Sequence, residues 1–159
     1  MKILAIDPGT ATTGYGILRA SNSHLEAIDY GVITTDSKEN PCDRLNRIFD
    51  SLTSIIKSHK PDCLVAEQIF FNTNSKTAIS VGQARGAVML VAAKNNVTFY
   101  EYTPLQVKQA VCGYGRADKQ QVAKMVKMIL KMEELPKPDD ASDALALAIC
   151  HCNNVNGKA

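Results

Sequence analysis

Two short apolar runs in this chain each end on an acid, with a single amphipathic helix between them, and that pattern restricts the fold more than any other feature. Ile3-Leu4-Ala5-Ile6 runs into Asp7, after which Pro8-Gly9 turns the backbone. Cys63-Leu64-Val65-Ala66 runs into Glu67. Runs of this length bounded by turn residues read as buried strands. Between them, Pro41 stands where a first helical residue belongs. Leu45, Ile48, Phe49, Leu52, Ile55 and Ile56 follow at helical spacing, and Pro61 ends the segment. A strand, a helix and a second strand pair most easily in parallel, through a crossover. Parallel neighbours end at the same sheet edge, where ligand sites of open α/β sheets lie, so Asp7 and Glu67 are expected together there. An unpaired buried carboxylate is costly. The competing role for Asp7 is to cap its own turn.

The remaining pattern extends the sheet. Thr12–Leu18 and the alternating His24–Thr34 (Leu25, Ala27, Tyr30, Val32), joined through a turn at Ala20–Ser23, complete an antiparallel meander with the first strand. Val97–Tyr102 reads as a fifth strand. The expected fold class is α/β, with a five-stranded mixed sheet flanked by helices: three antiparallel strands, then parallel crossovers. Further helices are expected over Thr77–Asn95, Pro104–Ala110, Lys119 to about Lys131, and Asp139 to about Cys152. Asp118 and Gln121 form a capping box at the third of these. Small residues in Gly82-Gln83-Ala84-Arg85-Gly86 would let another helix or a second subunit pack closely. Residues 1–152 are expected to form a single domain, and 153–159 a frayed tail.

Composition excludes several classes. A chain of 159 residues can bury a substantial core in one domain, and 45% hydrophobic with 21% charged residues is ordinary for a soluble protein. The longest apolar run, Ala87–Ala93, is far too short to cross a bilayer. The first residues lack the pattern of a secretory signal. The five cysteines form no CxxC pair, which points to reduced thiols and a cytoplasmic setting. Cys150-His151-Cys152 splays around a helix and lacks further ligands in register, so core thiols are expected there.

Two more acids complete a constellation. Asp139 and Asp140 open the last helix, where the dipole favours acids by ~0.3–1 kcal/mol. Asp140 and Asp143 are three apart and share one face of the first turn. Asp143 lies in an Ala/Leu-rich helix that must be largely buried, and a like-charged pair there calls for a cation. Four carboxylates suit hard divalent cations such as Mg²⁺. Two such ions ~3.5–4 Å apart can activate water and stabilise the leaving oxygen in phosphodiester cleavage. The element order is that of the RNase H-like nucleases.

Charge distribution adds a second surface. Between Glu101 and Lys137 stand seven basic residues and four acidic ones. Lys124, Lys127 and Lys131 lie opposite the buried stripe of Val122, Met125, Val126 and Ile129, as a solvated face does. Lys119 sits in a first helical turn, against the dipole and beside Gly113–Ala117, which suggests a phosphate as its partner. Phe70 and Phe71 open a polar loop, Ile69–Lys76, just past the Glu67 strand. One is expected to close over the core, and an exposed one could stack on an unpaired base, worth ~1–3 kcal/mol.

Over nearly its whole length the chain resembles the RuvC family of Holliday junction resolvases. The likeness rests on Ile6-Asp7-Pro8-Gly9 with Thr13-Gly14-Tyr15-Gly16, on Glu67-Gln68-Ile69-Phe70, and on Gly82–Gly86. It continues through Gln106-Val107-Lys108, Gly113–Lys119 and Asp140–Ala146. The resemblance implies that Asp7, Glu67, Asp140 and Asp143 are catalytic metal ligands; Asp7, placed centrally between the others, reads as the acid that bridges two ions. Some relatives have His where this chain has Asp140, and Ser142 stands where Ala is frequent. Lys108 and Lys119 would lie near the scissile phosphate. Phe70 would enter the junction centre, with Phe71 as the competing wedge, and Lys76, Arg85 and Arg116 would join the DNA contacts. The implied activity is symmetric nicking of four-way DNA junctions by a homodimer, leaving 5′-phosphate and 3′-hydroxyl ends. It would need Mg²⁺, two ions per subunit with Mn²⁺ as a substitute, and would cooperate with a branch-migration helicase complex of RuvA and RuvB. Alternatives are an RNase H-like nuclease acting on RNA or RNA–DNA hybrid, a junction-binding module without activity, and an actin-like nucleotide-binding fragment. The last needs a second similar domain.

Overall fold

Side-chain alternation along two adjacent strands fixes where everything else must go. The computed structural model describes residues 1–21, 24–68 and 75–156. Strands β1 (Lys2–Asp7), β2 (Thr12–Ser21), β3 (His24–Thr34), β4 (Cys63–Glu67) and β5 (Thr98–Tyr102) form one sheet in the order β3-β2-β1-β4-β5. The pairs β1–β2 and β2–β3 are antiparallel, whereas β1–β4 and β4–β5 are parallel, giving the expected mixed sheet. Helices α1 (Pro41–His59) and α2 (Ser75–Lys94) cover one face. Helices α3 (Pro104–Cys112), α4 (Lys119–Ile129) and α5 (Asp139–Asn156) cover the other.

β1 is central and buried on both sides, with Ile3, Leu4, Ala5 and Ile6 all at 0% exposure. That explains its continuous apolar run. Leu4, Ile6, Leu64 and Ala66 pack with Ile48 and Leu52 of α1 and Val88 of α2. Ile3, Ala5, Cys63 and Val65 pack with Val107, Val122, Leu145 and Ile149 on the opposite face. Full burial of a side chain such as Ile or Leu is worth roughly 1.5–3 kcal/mol, so these two layers dominate the favourable side of folding. With a period of two, Asp7 and Glu67 continue the second set, so both acids belong to the α3–α5 face.

Helix α5 crosses β2 at its two glycines. A Cβ at Gly14 would lie 2.1 Å from the backbone oxygen of Asp140, and one at Gly16 would lie 2.9 Å from Leu145 Cδ2. Close approach at Gly14 lets the first turn of α5 settle beside the end of β1. Caps fix the other helices. Asn40 accepts from Cys42 N at 2.9 Å ahead of Pro41, and Thr103 with Gln106 forms a capping box ahead of Pro104. Asp118 and Gln121 form the expected box on α4, at 2.8 and 2.9 Å.

Several boundaries differ from the sequence reading. β2 runs three residues further, to Ser21, and α2 starts at Ser75, so Ser75 and Lys76 are helical rather than loop. α4 stops at Ile129 because Lys131 adopts φ 51° and Met132 N donates to Lys127 O at 3.0 Å. This is a left-handed C-terminal cap built without glycine. α5 continues through Asn156, so 153–156 are helical rather than frayed; Asn153 Nδ2 donates to Ala110 O at 3.1 Å and ties this end to α3. All five cysteines are free, with Cys63, Cys150 and Cys152 buried. His151 is buried between them, with Tyr102 Oη 2.9 Å from Nδ1 and Cys63 Sγ 3.4 Å from Nε2. Burial lowers its pKa, so the Cys-His-Cys run is neutral core. Among the described residues no helix is long and apolar enough to cross a membrane.

The contact at Gly14 gives a direct test. Gly14→Ala forces a methyl group against backbone and should destabilise the fold by about 1–3 kcal/mol in urea unfolding. Gly16→Ala meets first the Leu145 side chain, which can rotate, and should cost less.

Candidate active site

The register that pairs Ile6 with Ala66 sets Asp7 and Glu67 at neighbouring tips of parallel strands. The turn after Asp7 is held by other groups. Thr13 Oγ1 donates to Gly9 O at 2.6 Å, Thr35 N donates to Ala11 O at 3.0 Å, and Thr35 Oγ1 donates to Thr10 O. Asp7 makes none of these bonds, so the turn-capping role falls away and its carboxylate is left for the site. From the opposite side, α5 brings Asp140 down over Gly14 and Asp143 one turn further on. Asp143 Oδ2 accepts from Lys119 Nζ at 3.0 Å, across from the first turn of α4.

A depression of about 360 Å³ opens at this edge, and its charged lining is Asp7, Glu67, Asp143, Lys108 and Lys119. Asp140 is outside that lining but close enough to act on Asp7. The pKa of Asp7 is pushed up to about 7, first by burial and then by the charges of Glu67, Asp143 and Asp140, with Lys119 opposing. Glu67 is raised as well, by burial and by Asp143, while Lys119 and Lys108 pull it down. Lys119 itself is raised by its hydrogen bond and charge pairing with Asp143. The cluster therefore carries more negative charge than two lysines offset, and near neutral pH it holds a proton that a cation could displace.

The donor set is oxygen only, as hard divalent cations require. Among the described residues, no three His, Cys, Asp or Glu side chains are gathered tightly enough to hold a metal ion. The mutual effect on Asp7 nevertheless places all four acids within electrostatic reach of one point. Such cations usually take one or two carboxylates each and complete their shell with water and substrate phosphate. An open set of four acids at a sheet edge suits cations that keep water and phosphate in their shell. Asp143 is meanwhile neutralised by Lys119.

The other residues singled out in the sequence divide by location. Lys108 joins the depression, and Arg116 is exposed on the α3–α4 connection. Arg85 is not a free cation: Nε and one terminal nitrogen reach the two Glu101 carboxylate oxygens at 2.7 and 2.8 Å, clasping α2 to β5. Phe70 and Phe71 lie outside the described residues, as does the side chain of Lys76. Lys119 was expected to face a phosphate, and the structure supplies a carboxylate as its protein partner. Sequence reasoning missed Thr35, whose hydroxyl bond to Thr10 O in the Asp7 turn joins residues 25 apart and leaves no local signal.

A family model described as crossover junction endodeoxyribonuclease RuvC matches residues 3–151. The crossover junction endodeoxyribonuclease RuvC of Caldanaerobacter subterraneus subsp. tengcongensis is 52% identical over 156 residues, covering 98% of this chain and 94% of that protein. The protein of the same name from Caldicellulosiruptor saccharolyticus is 53% identical over 152 residues, covering 95% and 92%. The structure of Thermus thermophilus RuvC in complex with a Holliday junction substrate superimposes with a TM-score of 0.94 at 33% identity, covering 99% of this chain and 96% of that one. With an RNase H-like sheet, four acids at one edge and likeness from end to end, this chain belongs to the RuvC family of crossover junction endodeoxyribonucleases.

Proposed function

We propose that the chain resolves four-way DNA junctions as a homodimer, nicking two opposed strands symmetrically in a Mg²⁺-dependent hydrolysis. The observation that carries this reading is the gathering of Asp7, Glu67, Asp143, Lys108 and Lys119 in one depression, with Asp140 acting on Asp7, in a chain alike throughout to junction endonucleases. Asp7, Glu67, Asp140 and Asp143 would hold two Mg²⁺ ions per subunit, with Mn²⁺ able to substitute and Asp7 shared between them. When bound, the ions supply a water of lowered pKa and neutralise charge on the phosphate. Water oxygen adds to phosphorus in line as the bond from phosphorus to the 3′ oxygen breaks, and that oxygen takes up a proton. The ends are a 5′-phosphate and a 3′-hydroxyl. Lys119 exchanges Asp143 for a phosphate oxygen, and Lys108 offsets the charge that develops there.

The substrate surface would combine these lysines with Arg116, Lys76 and an aromatic wedge, Phe70 or Phe71, stacking on bases opened at the exchange point. Arg85 contributes through its clasp on Glu101. On α2, the Cβ positions of Gly82 and Gly86 meet open space, and Ile79, Met89 and Leu90 are exposed beside them. An apolar helix face with small residues suits a second copy of this chain, and two sites related by its twofold axis match two opposed strands. A cytoplasmic setting and work alongside the RuvA–RuvB branch-migration complex complete the proposal, supported by the free thiols and by family kinship.

Three outcomes test it. Asp7→Asn should lower cleavage of a synthetic four-way junction in Mg²⁺ by about two to three orders of magnitude while junction binding persists. Wild-type rates from that variant would sink the catalytic assignment.

The second outcome concerns pH. Because the folded-state pKa of Asp7 is raised to about 7, the metal-free folded chain binds more protons than the unfolded chain between about pH 4 and 7. Its stability should therefore fall as pH rises through that window, and Asp7→Asn should flatten the fall in thermal melts. Metal binding needs the carboxylate, so cleavage at limiting Mg²⁺ should climb from pH 6 to 8.

The third is assembly. Leu90→Lys should shift sedimentation from dimer to monomer with the fold intact, and should replace paired cuts by single nicks.

A further inference from the structure

A second depression, of about 390 Å³, lies on the far side of the Lys119–Asp143 pair from the catalytic one, between α4 and the connection that leads into α5. Three lysines from separate places in the chain line it: Lys119 in the first turn of α4, Lys124 further along that helix, and Lys137 from the connection. Asp139 and Asp143 also line it, and Asp143 is already paired with Lys119. Neither Lys124 nor Lys137 forms an ion pair or hydrogen bond to protein among the described residues, and both are exposed. Ser142 lines the same depression; it is only 3% exposed, and its hydroxyl has no hydrogen-bond partner. A buried hydroxyl left without a partner is unfavourable, and an anion or its carried water entering beside it would relieve that.

We propose that this depression is a second phosphate subsite, which takes a backbone phosphate adjacent to the scissile one on the strand being cut. The inference rests on the nuclease reading and deepens it. Lys119 and Asp143 line both depressions. A strand laid across that pair therefore presents one phosphate to the acids and a neighbouring one to Lys124 and Lys137. Phosphate contacts of this kind set the register of a strand without reading its sequence. The lysines of α4 thus separate into two groups. Lys124 belongs to the strand path, whereas Lys127 and Lys131 do not line the depression and remain a solvated face.

The test compares two charge-matched double variants, Lys124→Gln with Lys137→Gln and, as control, Lys127→Gln with Lys131→Gln. The substrate is a four-way junction, in the full dimeric protein with Mg²⁺ for cleavage and Ca²⁺ for binding. The first pair should weaken junction binding by about five- to tenfold and reduce the slope of log affinity against log salt by about 1–2. The control pair should change affinity less than twofold. A methylphosphonate replacing the phosphate on one side of the cut should weaken wild-type binding but add little to the loss in the Lys124/Lys137 variant. Equal losses in both double variants, or full additivity with the methylphosphonate at each flanking position, would overturn the subsite. Failure of the wild-type protein to cleave the junction would instead overturn the nuclease reading.

Discussion

Mutual repulsion among four carboxylates at one sheet edge is the constraint on which the rest of this structure depends. Burial alone raises Asp7, and Glu67, Asp143 and Asp140 raise it further. Left to themselves, such groups would separate or keep protons. They are kept together because none sits on a free loop: two end strands in the middle of the sheet, and two occupy the first turns of a helix pressed onto that sheet. Among the described residues, the single protein cation in direct contact with an acid of the set is Lys119, which relieves part of the repulsion at Asp143. What remains is a site whose protonation, stability and affinity for cations are different views of one electrostatic quantity.

The scaffold holding the acids is correspondingly rigid. β1 is flanked by β2 and β4 and covered on both faces, so the tip bearing Asp7 has little freedom. The turn beyond it is pinned from β2 by Thr13 and from the end of β3 by Thr35. Gly14 matters for what it lacks, since any side chain there would lift α5 off the sheet and carry Asp140 away. Positioning by strands and helix turns rather than loops is what a site needs when reacting groups must be held within a fraction of an ångström.

Much of this was legible in the sequence. Apolar runs ending in Asp7 and Glu67, with one amphipathic helix between them, dictated a parallel pair with both acids at one edge. The i, i+3 spacing placed Asp140 with Asp143. Less legible were features made by tertiary contact between distant residues. Thr35 holds a turn 25 residues away, Arg85 is claimed by Glu101, and α4 ends on a left-handed lysine where no glycine announces the stop. Periodicity assigned Lys124 to the same solvated face as Lys127 and Lys131, because it reports angle around one helix and not the connection that folds back against it. Lys137, far along the chain, is what distinguishes Lys124 from its neighbours.

The alternation along β1 has a consequence for how this family can vary. Ile3, Ala5 and Asp7 face one layer while Leu4 and Ile6 face the other. Identity at the apolar positions can drift among residues of similar volume, but the number of residues between the strand's entry and its acid cannot change by one. A single-residue deletion in β1 would leave the carboxylate at the same edge yet turn it toward α1 and α2, away from Lys119 and α5. Spacing, more than composition, is therefore the inherited quantity in the opening segment, and insertions should be tolerated before β1 or after the Thr13–Thr35 clamp but not within it.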